Sequence, residues 1–184
     1  MIIESIVSTV SKDGTVNFAP MGARMLEGNR LAIIVFHSTH TCQNLSDNKA
    51  CVINLLYNPK LFVLTTLTDH VPPHKLSESS KGGIMDEADE ALEFAVDRVE
   101  EMEGKSRFEG HITSRIRIKE PSAGYCRAGA AVIEALIAIT RKGVLPDAEI
   151  EEMINRGHAI VSKTGSETDM EAMRIIEDHW TKSG

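Results

Sequence analysis

Residues 2–25 read IIESIVSTVSKDGTVNFAPMGARM, and the fold turns on how this stretch is read. Its opening, IIESIVSTV, is rich in β-branched side chains, which fit a pleated strand better than a helix. It ends at SKDG, where Asp13-Gly14 is a strong signal for the tight turn of a hairpin. A second extended stretch begins at Thr15 and runs through TVNFAPMGARML. Pro20 and Gly22 interrupt it, which predicts a bend or bulge there, with Pro20 on an edge or at a kink because it donates no ladder hydrogen bond.

Further along, EGNR (27–30) is another turn, and LAIIVF (31–36) is too continuously apolar for a half-exposed strand, so a central strand is expected. THTCQNLSDN (39–48) fits a short helix with Ser38 or Thr39 as N-cap and Leu45 on its buried side. KACVINLL (49–56) returns as a buried strand. Short strands joined by tight turns, with no long helical crossovers, favour an antiparallel barrel over a doubly wound sheet. NPKLFVLTTLT (58–68) predicts a helix opening at Pro59, and DHVPPHKLSESSKGG (69–83) a long exposed loop of the kind that serves as a lid. ALEFAVDRVEEMEG (91–104) and HITSRIRIKEP (111–121) alternate in polarity and read as a long β-hairpin, although the Ala, Glu and Met content of 88–102 also suits a helix. Beyond Pro121 the period changes. RAGAAVIEALIAITRKG, PDAEIEEMINRGHAIVSKTG and SETDMEAMRIIEDHW predict three helices, the last opening with Ser166 and Asp169 in capping-box position. The expected division is a barrel over 1–121 and a helical segment over 122–184.

With 42% apolar and 26% charged residues in 184, the chain has the composition of a globular protein, and no apolar run nears the ~20 residues of a membrane span. The start, MIIESIVSTV, lacks the basic region and cleavage site of a signal peptide, so a cytoplasmic location is expected. Cys42, Cys51 and Cys126 form no C-x-x-C unit and cannot all pair within one chain, which suits reduced thiols. A net charge of −7 argues against nucleic acid as a partner. That charge is segregated. Between 14 and 68 the acids are Glu27 and Asp47 against Arg24, Arg30, Lys49 and Lys60, so this segment is net +2 and the remainder −9. A carboxylate-poor surface suits a small-anion site, although buried strands also exclude charge.

Inside this segment lies HSTHTCQN (37–44). His37, His40 and Cys42 are metal-ligand types, but their spacing matches no common paired-ligand pattern, and Pro72 and Pro73 prevent His70 and His74 from sharing a helix face. An anion site has more physical support. A helix start leaves backbone N–H groups free at the positive end of the dipole, and Ser38, Thr39 and Thr41 add hydroxyl donors. An ordinary N-cap would look the same in sequence. Cys42 and Cys51 are thiols that also suit simple packing, and no nucleophile elbow, P-loop, Rossmann glycine pattern or zinc-protease signature is present.

ESIVSTVSKDGTVNFAPMGARM followed by LAIIVFHSTHTCQNLSDNKACVINLL resembles the FMN-binding split-barrel proteins. Within them it resembles an uncharacterised prokaryotic family, domain of unknown function 447, as does the helical RAGAAVIEALIAITRKG. The resemblance is carried by DG-x-x-N-x-A-P-M-G from Asp13 to Gly22, by Thr41 and Asn44 after the apolar strand, and by Val52 to Asn54. It implies an α+β protein: a six-stranded antiparallel split β-barrel with a C-terminal helical subdomain. It also implies a homodimer with FMN near the interface. By the same resemblance Ala19, Pro20, Met21 and Gly22 would lie beside the isoalloxazine ring, Ser38, Thr39, Thr41 and Asn44 around the phosphate and ribityl chain, and Asn54 near the ring or ribityl edge. The implied activity is that of a flavin-dependent oxidoreductase acting on a small molecule or electron donor. The alternatives are a non-catalytic flavin-binding or storage protein and a sensor or interaction module that has lost the cofactor. No acid or base is assigned; His37, His40 and His74 are candidates only as imidazoles near the expected pocket or lid. Phosphate cradles in this superfamily often include Arg or Lys, yet 31–48 holds neither. The charge must come from Arg24, Lys49, a partner subunit, or a protonated His37 or His40.

Overall fold

The Asp13-Gly14 turn joins two strands, with Gly14 at φ +88°, a conformation that side chains rarely tolerate. β1 (Ile2–Val10) and β2 (Val16–Met25) pair antiparallel from Ile2↔Arg24 to Val10↔Val16. The computed structural model describes residues 2–68, 70–79, 81–120 and 126–183. The bulge expected at Pro20 and Gly22 is absent, because the β1 ladder runs through both without a shift of register. β2 meets β3 (Arg30–Phe36) only at Arg24↔Ala32 and Met25↔Leu31. Pro20 therefore lies along an edge that no second strand among the described residues pairs with, where a missing N–H interrupts no β2–β3 bond.

After β3 come helix α1 (His40–Asn48), β4 (Ala50–Leu55) and helix α2 (Pro59–Leu67). Two short strands follow, β5 (His74–Leu76) and β6 (Gly83–Met85), then the long hairpin β7 (Glu90–Met102) and β8 (Lys105–Arg117). Six strands close an antiparallel barrel in the order β1-β2-β3-β8-β7-β4, with β4 returning to β1 through Ile6↔Asn54, Val7↔Ile53 and Ser8↔Val52. One bulge is in β8, where Thr113 is the extra residue opposite Glu93 and Phe94, and a second is in β7, where Asp97 is extra between Val96 and Arg98. The second shifts the inward phase, so that Val96 and Val99, three apart, both pack on the interior.

Val7, Ile33, Leu45, Ile53, Phe94 and Phe108 form the centre of that interior. Burying each of the two phenylalanines contributes about 2–3 kcal/mol. Leu45 comes from α1, whose buried Thr41, Cys42, Asn44 and Leu45 turn toward the strands. Burial pushes the Cys51 thiol well above its ordinary range, so this cysteine is a packing group and not a nucleophile.

Residues 69–83, expected as an exposed loop, contribute β5 and the first residue of β6 to a small antiparallel hairpin, His74↔Met85 to Leu76↔Gly83, although Asp69 and Ser80 lie outside the described residues. This hairpin covers the outer face of β1 and β4, where Val52, Ile84 and Ala91 make a second apolar layer. β4 is accordingly buried on both faces. β3 is not. Leu31, Ile33 and Val35 are buried, but Ile34 and Phe36 stand out on an exposed face at 43% and 65%, so the expectation of a fully buried central strand is corrected.

The remaining elements are α3 (Arg127–Thr140), α4 (Asp147–Thr164) and α5 (Glu167–Ser183). The chain forms two compact units, Met1–Leu56 with Val71–Pro121, and Tyr57–His70 with Ser122–Gly184. The expected boundary at 121/122 falls on residues outside those described, and α2 groups with the three terminal helices. In that unit Ser166 and Asp169 close a capping box: the Ser166 N–H donates to Asp169 Oδ2 at 2.8 Å, and the Asp169 N–H to Ser166 Oγ at 3.3 Å. Lys60 of α2 pairs with Glu171 of α5 at 2.6 Å.

The β7 bulge has one consequence for β8. A Cβ on Gly110 would collide with the Ala95 carbonyl and lie 2.9 Å from Val96 Cα, both backbone atoms that have no rotamer to change. Gly110→Ala is expected to lower stability by about 2 kcal/mol. An unchanged midpoint in chemical denaturation would contradict this packing.

Candidate functional site

An antiparallel strand bonds its neighbours on two sides, and β2 uses one of them. From Val16 to Ala23 no strand among the described residues pairs with the edge that faces away from β1. The alternate N–H and C=O groups on this edge are free to bind something other than a strand. Ala19, Pro20, Met21 and Gly22 lie in the middle of this seam. Their side chains do not share one direction. Met21 packs against the barrel interior, whereas its neighbours on either side, Pro20 and Gly22, take the outer face. A Cβ on Gly22 would sit 2.8 Å from Ile2 Cγ2, so its close neighbour is a flexible side chain of β1.

β3 feeds directly into α1. Thr39 caps the helix: its Oγ1 accepts from the Cys42 N–H at 3.2 Å and donates to the Phe36 carbonyl at 2.8 Å. Ser38 beside it is exposed. Thr41 and Asn44 point the other way. Thr41 Oγ1 accepts from Asn17 Nδ2 at 3.0 Å, and Asn44 Nδ2 donates to Thr9 Oγ1 at 3.0 Å, so both fasten α1 to the β1–β2 hairpin. Asn17, the Asn of the DG-x-x-N motif, joins these residues only in the folded chain, although the motif itself carries the signal.

Between the β1–β2 turn and α1 runs a cleft of about 420 Å³, walled by Lys12, Asp13 and Asn17 on one side and His40, Asn44 and Asp47 on the other. Lys12 and Asp47 pair across it at 3.2 Å. The Ser11 hydroxyl, then the Thr15 N–H, holds the Asp13 carboxyl down at about 2. That end thus carries two carboxylates to one ammonium, while the α1 end presents first-turn N–H groups. The geometry separates an anion-accepting end from an anion-repelling one.

Asn54 is elsewhere. It sits opposite Ile6, as Pro20 does from the other side, which places it two strand spacings from Pro20, roughly 10 Å. Fully buried, it spends its amide on backbone: Nδ2 donates to Ile6 O at 3.2 Å and Gly83 O at 3.1 Å, and Oδ1 accepts from Met85 N at 2.9 Å. Together with Ser8 Oγ, which accepts from Gly83 N at 2.7 Å, it clamps β6 to the barrel. His74 belongs to this clamped hairpin. Its Nδ1 donates to Pro72 O at 2.8 Å, and its ring meets Phe18 edge-on at 4.9 Å.

His37 ends in a cluster that no sequence spacing announces. Its Nε2 lies 2.9 Å from Ser106 Oγ and 3.1 Å from Glu101 Oε2, and the Ser106 hydroxyl donates to the same carboxylate at 2.9 Å. Among the described residues no three His, Cys, Asp or Glu side chains gather as a metal site, and no helix is long and apolar enough to cross a membrane.

The family model described as the N-terminal domain of protein of unknown function DUF447 matches residues 3–119, and its C-terminal counterpart matches 126–178. An FMN-bound DUF447 protein from Methanosarcina mazei is 25% identical, covers 97% of this chain and 94% of its own, and superposes with a TM-score of 0.83. A flavoredoxin from Methanosarcina acetivorans shares 16% identity over 67% of this chain and 72% of its own, with a TM-score of 0.56. The flavin reductase HpaC, solved with NADP+, shares 15% identity over 66% and 81%, with a TM-score of 0.58. The last two likenesses are of fold alone, that of the split barrel.

Two measurements check the local chemistry. Asn54→Ala leaves three buried backbone groups unpaired and is expected to cost about 2–4 kcal/mol, with faster proteolytic cleavage around Gly83–Met85; wild-type resistance would show that the clamp is dispensable. Asp13 titrates below its ordinary 3.8, so its contribution is complete above that value and is lost as pH falls through it toward about 2. An NMR titration of Ser11→Ala should find the carboxyl moved up toward 3.8, and no movement would remove Ser11 as the main cause.

Proposed function

The chain belongs to the DUF447 family, and from that premise we propose that it binds flavin mononucleotide along the open edge of β2 and works as a flavin-dependent oxidoreductase. The observation that carries this reading is the seam from Val16 to Ala23, where a strand edge stands unpaired beside the first turn of a helix. An isoalloxazine ring has in-plane carbonyls and ring nitrogens that need backbone partners, and an unpaired strand edge supplies them in alternation. A phosphate needs free N–H groups and hydroxyls, which the α1 start offers with Ser38 and Thr39. The M. mazei relative, crystallised with FMN, supports the same cofactor here.

The residues present fit that group, with roles that differ from one another. The backbone of Ala19, Pro20, Met21 and Gly22 forms the ring edge, and the small Gly22 keeps the outer face low. Thr41 and Asn44 act by holding α1 at its distance from Asn17 and Thr9. Asn54, its amide fully used, acts by keeping β6 in place. The flavin supplies the hydride or electron chemistry when bound, and the chain supplies binding, orientation and exclusion of water.

A second copy of the chain completes the site in this reading. Ile34, Phe36 and Met102 are exposed at 43%, 65% and 38% on the β3–β8–β7 side of the barrel, a patch that a monomer has no reason to leave in water. Free Cys42, Cys51 and Cys126 suit the reducing cytoplasm.

Purified protein should bind FMN and absorb near ~450 nm. Thr41→Ala with Asn44→Ala should weaken binding about tenfold without unfolding. A chain that binds no FMN would refute the cofactor, and one that binds it while NADH, NADPH and reduced deazaflavin all fail to reduce it would be a carrier and not an oxidoreductase. Phe36→Asp should convert a dimer to monomers in light scattering; an unchanged mass would place the interface elsewhere.

A further inference from the structure

Resting on the FMN reading, we propose that His37 supplies the positive charge of the phosphate cradle by carrying a second proton on Nδ1 while Glu101 and Ser106 hold its Nε2. The cradle needs such a charge. No Lys or Arg occurs from Leu31 to Asn48, and Lys49, Lys12, Arg30, Arg107 and Arg24 are distant or engaged. Lys49 caps the opposite end of α1, about 13 Å away and at the negative pole of the helix dipole. Lys12 is paired with Asp47 in the last turn. Arg30, at the far end of β3, is tied to Asp97 and Glu109 at 3.3 and 3.1 Å. Arg107 is tied to Glu109 and Glu100 at 2.6 and 3.5 Å. Arg24 stands opposite Ala32, about 13 Å along β3 from Phe36.

His37 is two residues before the N-cap Thr39. Its own N–H donates to Gly104 O at 3.1 Å, which fixes the loop to the β7–β8 turn. The protonation pattern follows from the contacts. The Ser106 hydroxyl gives its proton to Glu101, so toward His37 it can only accept, and the carboxylate can only accept as well. Both therefore require Nε2–H, which leaves the lone pair of the neutral ring on Nδ1. An anion at Nδ1 must bring a proton from solvent onto that nitrogen, and the Glu101 carboxylate stabilises the resulting imidazolium. Phosphate binding is then coupled to the uptake of one proton. The other charged or titratable groups around the loop are Glu103 and Lys105 in and after the turn and His40 on α1. Lys105 is paired in register with Phe36, on the face opposite Ser106.

The test is a pair of titrations, FMN and riboflavin, on the full chain from about pH 5.5 to 8.5, the range in which imidazoles exchange protons. The variants are His37→Gln, His37→Arg and Lys105→Met. The phosphate's own second ionisation near pH ~6 strengthens FMN binding with rising pH in every variant, so the readout is the ratio of wild-type to His37→Gln affinity. That ratio should be about tenfold at the acid end and fall toward one at the alkaline end. His37→Arg should bind FMN tightly throughout, and riboflavin, which lacks the phosphate, should bind all four proteins alike. A ratio that does not change with pH, an equal loss of riboflavin binding in His37→Gln, or a loss confined to Lys105→Met would each overturn the proposal while leaving FMN binding intact. Wild-type protein that binds FMN at no pH would instead overturn the function on which the proposal rests.

Discussion

Between β2 and β3 the barrel is closed by two residue pairs, Arg24↔Ala32 and Met25↔Leu31, and everything that distinguishes this chain from a plain β-barrel depends on that shortfall. A fully paired seam would satisfy every backbone group and leave no place for a planar ligand. Here β2 is held along its whole length by β1, while from Val16 to Ala23 no strand among the described residues pairs with its other edge. An unpaired edge invites aggregation unless it is blunted or occupied. Pro20 removes one donor from it, and α1 enters beside it, fastened by the Asn17–Thr41 and Asn44–Thr9 bonds. The same features that keep foreign strands away leave the backbone groups of this edge open where the flavin ring is proposed to bind.

The second constraint is what covers the outside of the barrel. Over β1 and β4 the cover is the β5–β6 hairpin, which packs so closely that a Cβ on Gly82 would lie 2.7 Å from Ser8 O and from Val52 N. Buried backbone at such a distance must be hydrogen-bonded, and Asn54 and Ser8 supply the partners. Across the barrel, β3 has no such cover, so Ile34 and Phe36 remain in solvent. The charged ladder on the neighbouring strands, Arg30 and Arg107 with Asp97, Glu100 and Glu109, contributes little to stability at exposed positions.

Much of the architecture is legible in the sequence because it rests on local signals. Asp13-Gly14 specifies the first hairpin, Thr39 and Asn58 cap α1 and α2 as their side-chain chemistry predicts, and Ser166 with Asp169 opens α5. The site is less legible. Of the residues expected around a cofactor, Ser38 and Thr39 are at the helix start and Ala19 to Gly22 on the open edge, but Thr41, Asn44 and Asn54 spend their side chains on the fold. An amide or hydroxyl next to a motif looks the same whether it binds a ligand or a neighbouring strand, and only the partner tells them apart.

LAIIVF and CVINLL show the limit most clearly. Both are short apolar runs, and the sequence alone determined that each would be a strand, because β-branched and aliphatic side chains favour the extended backbone wherever they are placed. Which of them would be covered on both faces was decided only by the tertiary structure, through a hairpin that is 18 or more residues further along and is held by Asn54 and Ser8. The Glu101–Ser106–His37 cluster has the same origin. Glu101 and Ser106 face each other across the β7–β8 turn, whereas His37 is 69 residues from Ser106, and the register of β3 on β8, a property of the assembled barrel, brings it within hydrogen-bond reach.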